Sequence, residues 1–221
     1  MQTPSFSKRL DSQFYGEHIH KLARNMLGTA IVSKCRRATL AGVIVEVEAY
    51  LSANDEASHS ARGKTMSNSS MFKDPGTLYV YPIHSRHCLN VVCDENGLGA
   101  AVLVRAIEPI AGFEQMFRNR GINAPGRVDL NNKRMLGQGP GRLCESLGID
   151  RRHDGLDLMK DGRVWLAPMS ELERKWKLRT SPRIGISKAK ELKYRYFIDG
   201  NQFVSGLTRD HSRGRYWSFV E

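Results

Sequence analysis

The chain has 221 residues, 40% of them hydrophobic, with 34 Lys and Arg against 23 Asp and Glu for a formal charge of +11. That length and apolar content suit one compact domain with a continuous core, and no apolar run approaches the ~18 residues of a membrane span. The positive excess favours a polyanionic partner whose phosphates release counterions on binding, over a basic protein without one.

In chain order, Phe14 to Leu27 places Ile19, Leu22, Ala23, Met26 and Leu27 at helical spacing, with Gly28 where a C-terminal cap belongs. Thr29 to Ser33, Thr39 to Tyr50, Leu78 to Tyr81, Leu89 to Cys93 and Ala101 to Ile107 read as strands. β-Branched and aliphatic residues dominate them, and Gly, Pro or Asn-Gly breaks separate them. Ser52 to Gly76 is a long polar stretch, and a loop of that length inside a domain is more often functional than idle. A short helix is predicted over Ala111 to Asn119 and a basic surface segment over Asn123 to Pro140. Gly139-Pro140-Gly141-Arg142 then opens a helix reaching about Leu147, whose first amides are free to take a DNA phosphate. A Gly-Pro start also serves purely conformational ends. Val164 to Leu166, Arg183 to Ile186 and Tyr194 to Ile198 complete the strands, with a basic patch at Arg174 to Arg179 beside Trp176. This order predicts an α+β fold, a single mixed domain over 1–221 with a mainly antiparallel sheet, and a flexible N-terminus up to about Leu10.

Four cysteines, Cys35, Cys88, Cys93 and Cys144, occur without a CxxC pair, and Met1 to Arg9 lacks a secretory apolar stretch. Both point to buried thiols in a reducing compartment and to no structural zinc.

The densest chemistry lies in Val43 to Tyr50, where strand alternation puts Ile44, Glu46, Glu48 and Tyr50 on one face. Two glutamates on such a face are ordinarily solvated, but Tyr50 beside Glu48 favours partial desolvation of the carboxylate. Tyr79 and Tyr81 repeat the aromatic pattern on another strand, and two aromatic strands can sandwich a base or simply pack on a helix. His59 in the long loop is placed to hydrogen-bond a base edge, although a loop histidine is ordinarily surface. It has no HxE or HxxxH partner for metal ligation. Arg105 interrupts an apolar strand and requires an acidic partner, with Glu48 a candidate and a structural pair elsewhere the rival.

VEVEAY, DEASHS at Asp55 to Ser60, MFKDPGTLYVY at Met71 to Tyr81, CLNVV at Cys88 to Val92 and VLVRAIEP at Val102 to Pro109 occur in one order. With LARNMLGT, GPGRLCESLGI at Gly139 to Ile149 and PRIGI at Pro182 to Ile186, the chain resembles the alkyladenine (3-methyladenine) DNA glycosylases along nearly its whole length. The resemblance implies an α+β domain with a curved antiparallel sheet that bends DNA, turns out a damaged purine nucleotide and hydrolyses its base–sugar bond without metal or cofactor. It implies Glu48 as general base for water and Arg105 beside the water and target backbone. Tyr50, His59 and Tyr81 would line the base pocket, and Asn90 would exclude the exocyclic amine of normal guanine. Gly141 and Arg142 would meet phosphate. The partner implied is double-stranded DNA containing damaged purines, met by a monomer away from membranes, in the cytoplasm and nucleoid of a bacterium or the nucleus of a eukaryote.

One segment departs from the family pattern. The strand ending in Tyr81 runs on as Pro82-Ile83-His84-Ser85-Arg86, one residue shorter, where the family places a wedging tyrosine. His84 is the nearest candidate wedge, with Ile83 or Arg86 as alternatives, and an imidazole behind Pro82 implies a weaker wedge. This departure leaves room for a second expectation, a noncatalytic binder of damaged DNA.

Overall fold

The computed structural model describes residues 6–36, 38–93, 97–169 and 177–206, and the backbone of 218–220. Its organising element is the long apolar strand β2 (Ala38–Tyr50), buried from Leu40 to Ala49. Burial on both faces suits a run in which apolar residues dominate.

One edge of β2 pairs with β5 (Ala101–Ala111) along its length. Its other edge is shared: the first half pairs with β1 (Ala30–Cys35), and Glu46 to Glu48 pair with β8 (Arg195–Ile198). From β5 the sheet continues through β4 (Arg86–Val92) to β3 (Leu78–Ile83). From β8 it continues through β7 (Leu178–Ser181) to β9 (Ser218–Val220), and β1 carries β6 (Val164–Ala167). All pairings are antiparallel, so the expected α+β class with a mainly antiparallel sheet is borne out.

Between β2 and β5 the register slips three times, leaving Val45 on one strand and Ile110 and Arg105 on the other without a cross-strand partner. Bulges of this kind re-aim a side chain. Here Arg105 turns to the face that carries Glu46 and Glu48.

The single N-terminal helix expected over Phe14 to Leu27 is two, α1 (Ser12–Tyr15) and α2 (Ile19–Met26). Gly16 ends the first by donating to Ser12 O, and α2 then buries the expected face of Ile19, Leu22, Ala23 and Met26. Phe6 is buried and its carbonyl accepts from Trp165 Nε1 at 2.8 Å, so the chain from Phe6 onward is anchored.

Helix α3 (Phe113–Asn119) follows β5 as expected. The segment Asn123 to Pro140, expected as plain surface, contains helix α4 (Leu130–Gly137). Asp129 and Asn132 form a reciprocal capping box that starts it, and only Leu136 and Gly137 are buried. A Cβ on Gly137 would stand 2.1 Å from Ile107 O, so only glycine allows α4 to lie this close to β5. Helix α5 (Pro140–Leu147) begins at the expected Gly-Pro and buries Leu143, Cys144 and Leu147.

The strand expected at Arg183 to Ile186 is absent. Pro182 has no N–H to give a ladder, Gly185 sits at φ +79°, and the Ile184 N–H is spent on Glu48. The neighbouring strand is β7, which overlaps the end of the stretch read as a basic patch, of which Arg174 to Trp176 lie outside the described residues. Cys88, Cys93 and Cys144 are buried thiols, whereas Cys35 is half-buried, contrary to the expectation for all four. No helix among the described residues is long and apolar enough to cross a membrane.

Candidate active site

A cleft of about 550 Å³ opens where β2, β3, β4 and β5 meet the loop after β2 and the segment Ile184 to Ile186. Tyr50, His59, Tyr79, Tyr81, Asn90 and Arg105 all line it, so the structure gathers five of the expected site residues together with Tyr79, the other tyrosine of the aromatic pattern. Glu48 lies directly behind Tyr50 and Arg105, with its side chain 0% exposed.

The Glu48 carboxylate is held from three sides. Tyr50 Oη donates to Oε2 at 2.8 Å, Ile184 N donates to Oε1 at 2.7 Å, and Arg105 Nη1 stands 3.3 Å from Oε1. A carboxylate offers about four acceptor sites, and these contacts leave one on Oε2 unfilled among the described residues. Burial and the neighbouring Glu48 charge push the Tyr50 phenol well above its ordinary value, which keeps it a hydrogen-bond donor. Burial opposes the charge on Arg105, but Glu48 and Glu46 outweigh it and hold the guanidinium firmly protonated.

Glu46 was not singled out as a site residue, yet it is the second anchor of Arg105. Its Oε1 accepts from Arg105 Nε at 3.1 Å, Arg195 Nε at 2.7 Å and Ser205 Oγ at 3.0 Å. Both glutamates are fully buried rather than solvated, and together they balance two buried guanidiniums. The alternation that marked Glu48 marked Glu46 equally; Arg195 and Ser205, far along the chain, carried no signal.

The aromatic wall is built on β3. Tyr79 and Tyr81 project from one side with ring centroids 5.5 Å apart, and His59 stands edge-on to Tyr81 at 4.5 Å. His59 Nδ1 shares a 2.8 Å hydrogen bond with Tyr79 Oη, tying the long loop to the strand. Enclosure by this wall lowers the His59 imidazole below its ordinary value, so the ring facing the cleft is neutral near pH 7. Burial pushes the Tyr79 phenol up to about 12. Asn90 Nδ2 donates to Tyr79 O at 3.1 Å, which fixes the amide at the cleft floor.

The wall also has outside support. Asp154 Oδ1 accepts from Val80 N at 2.8 Å while its Oδ2 accepts from Ser70 Oγ at 2.8 Å, and Arg151 Nη1 reaches Val80 O. The β3 edge between the two tyrosines is therefore closed by side chains, and Met71, next to Ser70, is set in the cleft lining.

His84 sits at the exposed tip of the β3–β4 turn with φ 51°. Ile83, 42% exposed, and Pro82 line the cleft mouth. Arg86 Nε is engaged by Glu145 Oε1 at 3.1 Å, which draws it away from that tip. Gly141 and Arg142 lie on a second, shallower cleft that shares Arg105 and Pro140 with the first. The two expected phosphate residues thus flank the candidate site without entering it. Among the described residues no group of three His, Cys, Asp or Glu side chains is placed to hold a metal ion.

Residues 13–202 match the family model described as methylpurine-DNA glycosylase. A relative from Rhodopirellula baltica is 47% identical over 95% of this chain and 88% of its own length. One from Koribacter versatilis is 40% identical over 89% of this chain and 93% of its own, and one from Francisella tularensis 42% over 83% and 91%. Each of the three bears the name "Putative 3-methyladenine DNA glycosylase".

Proposed function

The chain belongs to the methylpurine-DNA glycosylase family, and on that premise we propose that it is a monofunctional hydrolase that extrudes alkylated or deaminated purines from duplex DNA and cleaves their N-glycosidic bond. The observation that carries the reading is the Glu48 carboxylate, oriented by Tyr50, Ile184 and Arg105 at the back of an aromatic cleft.

Cleavage at the anomeric carbon passes through an oxocarbenium-like state, so one carboxylate helps twice: it deprotonates the attacking water and stabilises the sugar cation. Glu48 fills both roles, with water on the remaining acceptor site of Oε2. Arg105 pairs with Glu48 and faces the target backbone. Tyr50 and Tyr81 stack on the extruded base while neutral His59 meets its edge, and Asn90 disfavours the exocyclic amine of normal guanine.

Alkylation at a ring nitrogen makes the purine a good leaving group, which lets stacking and exclusion substitute for strong acid catalysis. The proposed lesions are 3-methyladenine first, with 7-methylguanine, hypoxanthine and ethenoadenine sharing the cleft. Gly141 and Arg142 track the phosphates, and the hairpin tip at Ile83 and His84 fills the gap left by the extruded nucleotide.

The test is base release from a panel of defined lesion duplexes by wild type beside Glu48→Gln. Wild type should release at least one of these bases, and Glu48→Gln should bind the same duplex yet release it at least ~100-fold more slowly. Equal rates for the two proteins remove Glu48 from the chemistry. Salt-sensitive binding with no release from any lesion favours the noncatalytic reading that the shortened hairpin permits.

A further inference from the structure

Asp55 and Arg183 lie in the segments DEASHS and PRIGI, outside the set that meets the base, yet both side chains are 0% exposed. Two bonds of 2.6 Å join them, Nη1 to Oδ2 and Nη2 to Oδ1. Burying a charged pair is costly, and apolar side chains would fill the same space at lower cost. A bidentate pair supplies fixed geometry instead.

That geometry converges on Glu48. Arg183 Nη1 also donates to Ala49 O at 2.9 Å, and Asp55 Oδ2 also accepts from Leu51 N at 3.0 Å. The backbone on either side of Tyr50 is therefore tied to one ion pair. The guanidinium lies over the Tyr50 ring at 4.6 Å, with Tyr194 at 5.5 Å. One face of Tyr50 is thus occupied, and a base can stack only on the other. Arg183 is followed directly by Ile184, whose N–H meets Glu48 Oε1, while Tyr50 Oη meets Oε2. Two of the three groups that orient the carboxylate are held by this pair, whose members are 128 residues apart in sequence.

We propose that Asp55 and Arg183 are positioning residues that aim the Glu48 carboxylate through Tyr50 and Ile184, so that loss of the pair slows base release from DNA already bound. The inference rests on the glycosylase reading above.

Single-turnover release of hypoxanthine from a duplex, with full-length enzyme in excess, tests it. Rates are taken per folded molecule, counted by far-UV circular dichroism. Asp55→Asn, which keeps size and removes the charge, should slow release at least ~10-fold while leaving the dissociation constant for the same duplex within about 3-fold. Arg183→Lys keeps the charge and loses the fork, and it should show a loss of similar size. It also carries the comparison if Asp55→Asn does not fold. In a Glu48→Gln background the Asp55 substitution should add less than about 2-fold, because its effect passes through a group already disabled. Unchanged rates per folded molecule, or a full additive loss in the Glu48→Gln background, overturn the positioning role. A wild-type protein that releases no base from any lesion instead removes the underlying reading.

Discussion

Substituting Glu46 by Gln tests whether the charge network beneath the cleft behaves as a buried unit. Glu46 accepts from Arg105, Arg195 and the Ser205 hydroxyl through Oε1, and from Ser205 N through Oε2 at 2.5 Å. Glutamine preserves the shape and can keep the Oε1 bonds, but its NH₂ then faces the Ser205 N–H, donor against donor. The flipped amide is worse, since it turns the NH₂ toward two guanidiniums. The loss of charge also removes the carboxylate that Arg105 and Arg195 share. Removing one partner of a buried pair costs about 3–5 kcal/mol, a figure that already contains the unmade hydrogen bond. At roughly 2 °C per kcal/mol for a domain of this size, the melting temperature should fall by about 6–10 °C. Urea titration of wild type and variant measures the loss, with an unchanged slope showing that the same surface unfolds. A loss below about 1 kcal/mol, the range of exposed ion pairs, would refute the claim that this network is desolvated.

Tyr50→Phe keeps the ring and deletes the donor on Glu48 Oε2; a bond to a charged group of about 1.5–3 kcal/mol predicts release slowed ~10–100-fold in single-turnover assays, with DNA affinity retained. Gly137→Ala places a methyl group 2.1 Å from the Ile107 carbonyl oxygen. It should lower the folding free energy by more than ~2 kcal/mol in urea titration, against about 1 kcal/mol for the unobstructed but positive-φ Gly121→Ala. His20 and His59 are both held below the ordinary value of 6.5, mainly by burial. The unfolded chain therefore takes up protons first as the pH falls, so stability is level above about pH 6.5 and declines below it. Denaturant midpoints measured across that range should decline less steeply for His59→Gln than for wild type. Ile83→Ala, at the cleft mouth, should weaken binding of a lesion duplex more than binding of single-stranded DNA carrying the same base, as gel-shift titrations of both would show.

How much was legible in the sequence follows from where the signal is local. The apolar runs of β2 and β5, the Gly-Pro start of α5 and the shared face of Glu46, Glu48 and Tyr50 are written in neighbouring residues, and all were readable. The covering of that face was not, because alternation says which side a carboxylate takes and nothing about what lies on it. Arg195 and Ser205 reach Glu46 from far along the chain, and the Ile184 N–H reaches Glu48 from a segment that reads as a strand by its isoleucines. Helix α4 was missed because it buries so little, although its Asp129 and Asn132 box was present. The break between α1 and α2 falls at Gly16 to His18, a stretch too short for periodicity counting to register.

The shared edge of β2 also sets an order of events at the ribosome. A nascent chain that has emerged through β5 can assemble β2 against β5 and β1, placing Arg105 beside two acidic groups. The remaining donors, Ile184, Arg195 and Ser205, belong to the last part to be synthesised. Until they arrive, one cation answers two anions, and water must fill the space that β8 later takes. The backbone support of Glu48 is thus a late acquisition of synthesis, added to the phenol and guanidinium that the earlier part already carries.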